Sequence, residues 1–129
     1  MSRRRAVVAE DLLRLRLVND PQVAPDGKRV AFVVHVPDVD ADITRPTVWV
    51  APLVGDNPGF AFATEGKTHS PRWSPDGRWL AYVSDRGGRF APQLWVAPLD
   101  GGEPRCLTDA PRGVAQPAWS PDGRRIAYV

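Results

Sequence analysis

The chain has 129 residues, enough for one ordinary domain, and its 43% hydrophobic and 25% charged content is that of a soluble globular protein. The net charge is only +2, and apart from Arg3-Arg4-Arg5, read as a solvated terminus, the basic residues are spread along the sequence, which argues against a nucleic-acid-binding face. Cys106 is the single cysteine, so no internal disulfide forms, and Glu10, Asp11, Arg14 and Arg16 interrupt the one apolar stretch near the N-terminus, so neither a signal peptide nor a membrane span is expected and a cytoplasmic location follows.

In chain order, Ala9–Leu15 carries acidic residues early and arginine late, the charge order of a short helix. Leu13, Leu15 and Leu17 also alternate with Arg14 and Arg16, which is a strand pattern. The reading adopted is one or two helical turns followed by an extended lead into Pro21.

A motif then occurs three times. Pro21-Gln22-Val23-Ala24-Pro25-Asp26-Gly27 returns as Pro71-Arg72-Trp73-Ser74-Pro75-Asp76-Gly77 and again as Pro117-Ala118-Trp119-Ser120-Pro121-Asp122-Gly123. Each copy leads into a short apolar segment: Val30–Val33, Leu80–Val83 and Ile126–Val129. The steps are 50 and 46 residues. Val48-Trp49-Val50-Ala51-Pro52-Leu53 matches Leu94-Trp95-Val96-Ala97-Pro98-Leu99 at the step of 46, so the four extra residues of the first unit lie between Val33 and Val48. They are expected to be a loop insertion.

Each unit reads as four strands. The first ends at Ala24, Ser74 or Ser120. In the turn that follows, proline presets φ, aspartate bonds local backbone and glycine supplies positive φ, which makes a tight hairpin with a glycine bulge. Pro25, Asp26, Gly27, Pro75, Asp76, Gly77, Pro121, Asp122 and Gly123 are therefore structural turn residues. In the second unit the later strands are Trp79–Ser84, Leu94–Leu99 and Arg105–Thr108. The second strands are apolar nearly throughout, which requires burial on both faces. Ala31, Ala81 and Ala127 hold one position, where a small residue lets neighbouring sheets approach. Four-stranded antiparallel units of this length, stacked face to face, describe β-propeller blades. The fold class is all-β: a partial β-propeller of two four-stranded antiparallel blades plus the first hairpin of a third, with a short N-terminal helix. The organisation is 1–19 for the N-terminal segment, 20–69 for blade 1, 70–115 for blade 2 and 116–129 for the hairpin of an incomplete blade 3.

Three sets of residues resemble a known family: Glu10–Arg16 leading to Asp20–Gly27; Pro71–Gly77 with Leu80–Arg86; and Gln93–Val96 through Gly101-Gly102-Glu103-Pro104 to Leu107-Thr108. Together they are similar to the N-terminal propeller of prolyl oligopeptidase family serine peptidases, in the acylaminoacyl-peptidase and dipeptidyl-aminopeptidase-like branch. The Trp-Ser-Pro-Asp-Gly motif itself also occurs in the Tol-system periplasmic propeller, so a protein-binding propeller scaffold is the alternative. The first copy departs from the motif at Val23 and Ala24. The resemblance implies a two-domain enzyme whose propeller caps an α/β-hydrolase domain and screens peptides by size. Its catalytic triad belongs to the hydrolase domain and maps onto nothing here.

No Gly-x-Ser-x-Gly occurs, and Ser2, Ser70, Ser74, Ser84 and Ser120 lack flanking glycines at that spacing. The chain by itself is therefore read as non-catalytic, with no cofactor. His35 and His69, without a cysteine partner nearby, are read as ordinary strand-end or loop histidines and not as zinc ligands. Asp38, Asp40 and Asp42 alternate, but a calcium loop opening at Asp38 needs glycine and glutamate where Ile43 and Trp49 stand, so a solvated loop is expected. Arg86 and Arg89, between the second and third strands, are candidates to face the channel or a peptidase domain. The expected partners are the missing blades and the hydrolase domain of a parent chain, short peptides in the whole enzyme, and further copies of this chain through open blade faces.

Overall fold

A computed structural model describes residues 17–38, 42–88 and 91–129, and its regular elements are all β-strands. The helix expected over Ala9–Leu15 and the side chain of Arg89 lie outside the described residues. Strands β1 (Leu17–Val23), β2 (Arg29–Asp38), β3 (Ile43–Pro52) and β4 (Phe60–Ala63) form one antiparallel sheet in sequence order. Strands β5 (Thr68–Trp73), β6 (Trp79–Ser84), β7 (Gln93–Pro98) and β8 (Arg105–Cys106) form a second sheet of the same order, and β9 (Ala118–Trp119) pairs with β10 (Ile126–Ala127). Sequential four-stranded meanders stacked face to face are propeller blades. The strand of the first blade begins at Leu17, so the lead into Pro21 is already paired.

The apolar second strands are buried on both faces because alternate side chains serve different neighbours. Leu80 and Tyr82 of β6, with Trp73 and Ala97 of the same sheet, pack toward the first sheet against Ala31, Val48 and Val50. Ala81 and Val83, with Leu94 and Val114, pack the other way, toward Trp119 and Ile126. Ala31 and Ala81 are both fully buried, so the small residue does sit where sheets face each other.

The four extra residues of the first unit are not a loop. Beyond Val33↔Val48, β2 and β3 continue in register through Val34↔Thr47 and His35↔Pro46 to Asp38↔Ile43. In the second blade the same ladder ends one pair on, at Ser84↔Gln93. Strand-forming Val34, Val36, Thr44 and Thr47 let the inserted length pair up.

A feature absent from the sequence reading recurs with the same period. The first strand of each unit is bulged by one residue: between Asn19 and Gln22 opposite Val33 and Ala31, and between His69 and Arg72 opposite Val83 and Ala81. In the third unit Ala115 exchanges backbone hydrogen bonds with Val129 at 2.9 and 3.0 Å, while Ala118 pairs with Ala127. Within each bulge stands one left-handed residue that is not glycine: Asp20 (φ 52°), Ser70 (φ 58°) and Gln116 (φ 53°). Proline follows each of them. It has no N–H to give to the ladder, so the bulge falls where a ladder bond is missing in any case.

The bulged strands are also where neighbouring blades meet. The Trp73 indole N–H donates to the Gln22 carbonyl at 2.7 Å, and the Trp119 indole N–H donates to the Arg72 carbonyl at 3.0 Å. Each tryptophan thus bonds the preceding blade at the equivalent position. The Arg29 guanidinium lies 5.0 Å from the Trp73 ring centre and reaches the Gly77 carbonyl at 3.3 Å, tying the first blade to the second turn. Replacing Trp73 by Phe keeps an aromatic ring but removes the donor together with part of the indole's buried bulk. Urea denaturation should show a loss of at least about 1 kcal/mol for Trp73→Phe, the net value of one hydrogen bond with the lost packing added; an unchanged midpoint would contradict the inter-blade role.

Candidate functional site

The motif residues come together as a stack of turns at one end of the blades. In each, the glycine N–H donates to the carbonyl three residues back at 2.9 Å: Gly27 to Ala24, Gly77 to Ser74, and Gly123 to Ser120. The glycines have φ of 72°, 72° and 73°, the left-handed region that favours glycine. The aspartate Oδ1 accepts the backbone N–H two residues on, from Lys28, Arg78 and Arg124, at 2.9, 3.0 and 3.0 Å. The turns also pack on one another: Pro25 lies against Gly77, and Pro75 against Gly123, with a Cβ on either glycine falling 3.6 to 3.7 Å from the proline ring.

The serine of the second and third copies adds a second layer of bonding. Ser74 Oγ donates to Asp76 at 2.6 Å and accepts the Trp79 N–H at 3.0 Å; Ser120 does the same with Asp122 at 2.6 Å and Arg125 at 3.0 Å. Ala24 closes its turn with backbone bonds alone. The Ser74 hydroxyl first, and the Arg78 N–H second, hold the Asp76 carboxyl below its ordinary 3.8, and Ser120 and Arg124 do the same for Asp122. The aspartates are thus turn formers in fixed surroundings, one blade apart.

Beside the turns runs a groove of about 370 Å3 along the first strands, lined at the same repeat positions in each unit: Val23 and Pro25, Trp73 and Pro75, Trp119 and Pro121. At the opposite end of the first strands, Asp20, His35, His69 and Ser70 border a crevice of about 240 Å3 between the two full blades. Here the Asp20 carboxylate accepts from Arg72 at 2.9 Å and from Gln22 at 2.9 Å. His69 Nδ1 and Ser70 Oγ are 2.9 Å apart. This is not a catalytic pair: among the described residues no carboxylate is hydrogen-bonded to the far nitrogen of that ring. Nor does any group of three His, Cys, Asp or Glu side chains lie together as a metal site among the described residues.

Arg86 is placed by partners that its own segment does not announce. Its Nε pairs with Glu65 at 2.8 Å, its guanidinium lies 5.1 Å from the Trp95 ring centre, and it borders the buried Tyr82. Burial pushes the Tyr82 hydroxyl above its ordinary 10.0, against the opposing pull of Arg86. Thr68 and Ser84, both fully buried, bond each other at 3.2 Å and share the Glu65 carbonyl. Arg86 therefore fastens the β4–β5 connection to the second sheet. Asp38 closes β2, Asp42 has a φ of 52°, and Asp40 lies outside the described residues.

Asp76, with its carboxyl held low, contributes stability above 3.8 that is lost as pH falls through the lower folded value. Ser74→Ala removes the largest cause. Carbon-13 titration should move the Asp76 midpoint up toward 3.8 and leave Asp122 in place; no movement would contradict the hydroxyl's part.

Comparison with known proteins accords with this architecture. Over 87 residues, 66% of this chain, it is 42% identical to an uncharacterized peptidase, YuxL, of Bacillus subtilis, and spans 13% of that relative's length. The acylaminoacyl peptidase of Pyrococcus horikoshii superposes on 91% of the chain with a TM-score of 0.69 at 22% identity, using 17% of its own chain. The Tol-Pal system protein TolB of Albidiferax ferrireducens is 38% identical over 58 residues, 45% of this chain and 14% of its own length. The TolB beta propeller domain family matches residues 2–129, and the chain belongs to that family.

Proposed function

We propose that this chain is the non-catalytic propeller portion of a prolyl oligopeptidase-like serine peptidase of the acylaminoacyl-peptidase kind. The observation that carries the reading is the 42% identity to a peptidase across 87 residues, spread over a sheet architecture that also superposes on an acylaminoacyl peptidase. The chemistry of the described residues suits a scaffold: the repeated polar groups are consumed by turns and by joints between blades. In the whole enzyme the propeller would screen short or acylated peptides, and hydrolysis would belong to an α/β-hydrolase domain absent from these 129 residues. Its partners here are further blades and that domain, and the setting is cytoplasmic. No helix among the described residues is long and apolar enough to cross a membrane. The second reading, a protein-binding scaffold like TolB, rests on the shorter match of 58 residues.

Two outcomes follow. The purified chain should give no turnover of acyl-amino-acid p-nitroanilides, and the same propeller joined to a hydrolase domain in its full-length protein should give turnover; robust activity in the chain alone would overturn the proposal. Complete propellers have roughly four to eight blades, and repeat arrays draw much of their stability from neighbour interfaces. Leu17, Val18 and Val23 on β1, and Leu107, Tyr128 and Val129 just beyond β8 and β10, are exposed apolar residues. Light scattering should therefore show the isolated chain self-associating; a monomer with a cooperative melt at high temperature would contradict this.

A further inference from the structure

The residue that follows the turn motif differs between units. Arg29, Trp79 and Arg125 stand at the same place, two residues after each turn glycine. At the joint between the first and second blades that arginine is used: its guanidinium lies 5.0 Å from the Trp73 ring centre and donates to the Gly77 carbonyl at 3.3 Å. At the joint between the second blade and the β9–β10 hairpin, Trp119 and Gly123 are the counterparts of Trp73 and Gly77. There Trp79 replaces the arginine, and among the described residues no cation lies over the Trp119 ring.

This second joint instead holds a pocket of about 410 Å3, walled by Trp79, Trp119, Pro75 and Pro121, with Asp76 and Asp122 on its lining. No arginine, lysine or histidine lines it. Both aspartates are exposed and commit Oδ1 to their own turns: Asp76 to the Ser74 hydroxyl at 2.6 Å and the Arg78 N–H at 3.0 Å, Asp122 to Ser120 and Arg124 at the same distances. Those bonds favour the carboxylate form, so both are charged at neutral pH. Arg78 also pulls on Asp76 from outside the lining, yet among the described residues neither carboxylate is in an ion pair. Two turn aspartates alone would hold no more than solvated counter-ions. The tryptophan walls, and the guanidinium that the chain itself places on the equivalent ring, specify the ligand further. An aromatic face attracts a cation, and a guanidinium, planar and weakly hydrated, both stacks on indole and forks onto a carboxylate.

We propose that the second joint binds a guanidinium from outside the chain, the side chain of an arginine in a peptide, stacked on Trp119 as Arg29 is on Trp73 and with its charge met by Asp76 and Asp122. The first joint offers no such site, because Arg29 already stands on Trp73. The site is independent of whether a peptidase domain is attached.

The test is a nitrogen-15 NMR titration of the intact chain with Nα-acetyl-arginine amide, followed at the indole N–H groups. The Trp79 and Trp119 signals should shift saturably at millimolar concentration while Trp73 stays in place. The neutral isostere Nα-acetyl-citrulline amide should shift neither, and Nα-acetyl-lysine amide should bind several-fold more weakly. Trp79→Arg restores the arginine of the first joint and should abolish the response at Trp119. Asp122→Asn keeps an oxygen acceptor in the turn and should weaken binding several-fold. No shift at Trp119, equal shifts with the citrulline and arginine amides, or equal affinity for the lysine amide overturns the proposal. The wild-type titrations need no substitution, so they decide even where a variant fails to fold.

Discussion

Neighbouring blades are joined at their bulged first strands by an indole N–H aimed at a backbone carbonyl. Trp73 reaches Gln22 and Trp119 reaches Arg72, at 2.7 and 3.0 Å, from the same position of the repeat. Flat sheets packed through apolar side chains have no strong preference for one lateral offset, because dispersion contacts are not directional. A hydrogen bond is directional, and this one sets the step from each blade to the next. The stacked turns follow from that step, since Pro25 meets Gly77 and Pro75 meets Gly123 only at that offset. The split of β6 into two apolar clusters is the strand's own alternation of side chains between its two faces.

The same constraint accounts for how many of the polar side chains among the described residues are spent. Asp76 and Asp122 spend their oxygens on serine hydroxyls and backbone amides. Arg72 and Arg29 bridge blades, through Asp20 and through the Gly77 carbonyl, and Arg86 ties Glu65 of the β4–β5 connection to Trp95 of its own sheet. What remains exposed is shape: first strands whose Trp and Pro residues line a shared groove. The first copy contributes less to this bonding, because Val23 has no indole donor and Ala24 no hydroxyl.

The blade pattern was legible in the sequence because its signals are local. Proline, aspartate and glycine shape a turn through their own dihedrals and short side chains, so three copies of Pro-Asp-Gly announce three hairpins. The four-residue insertion has its place in the repeat spacing, but counting residues does not show whether they pair; Val34, Val36 and Thr47 are the available hint that they do. The bulges had a signal too, in the prolines at 21, 71 and 117 inside strand patterns, although nothing in Asp20, Ser70 or Gln116 marks them as left-handed. The indole bonds had none, because a backbone carbonyl acceptor has no residue identity. Arg86 was equally opaque: Glu65 and Trp95 reach it from distant parts of the sequence.

Hydrogen exchange at the indole N–H groups, followed by nitrogen-15 NMR of the intact chain, tests the inter-blade bond most directly. The signals of Trp73 and Trp119 should be protected and should lose that protection together as the blades separate in denaturant. Exchange of both at the rate of a free indole, with the β6 amides still protected, would contradict the account.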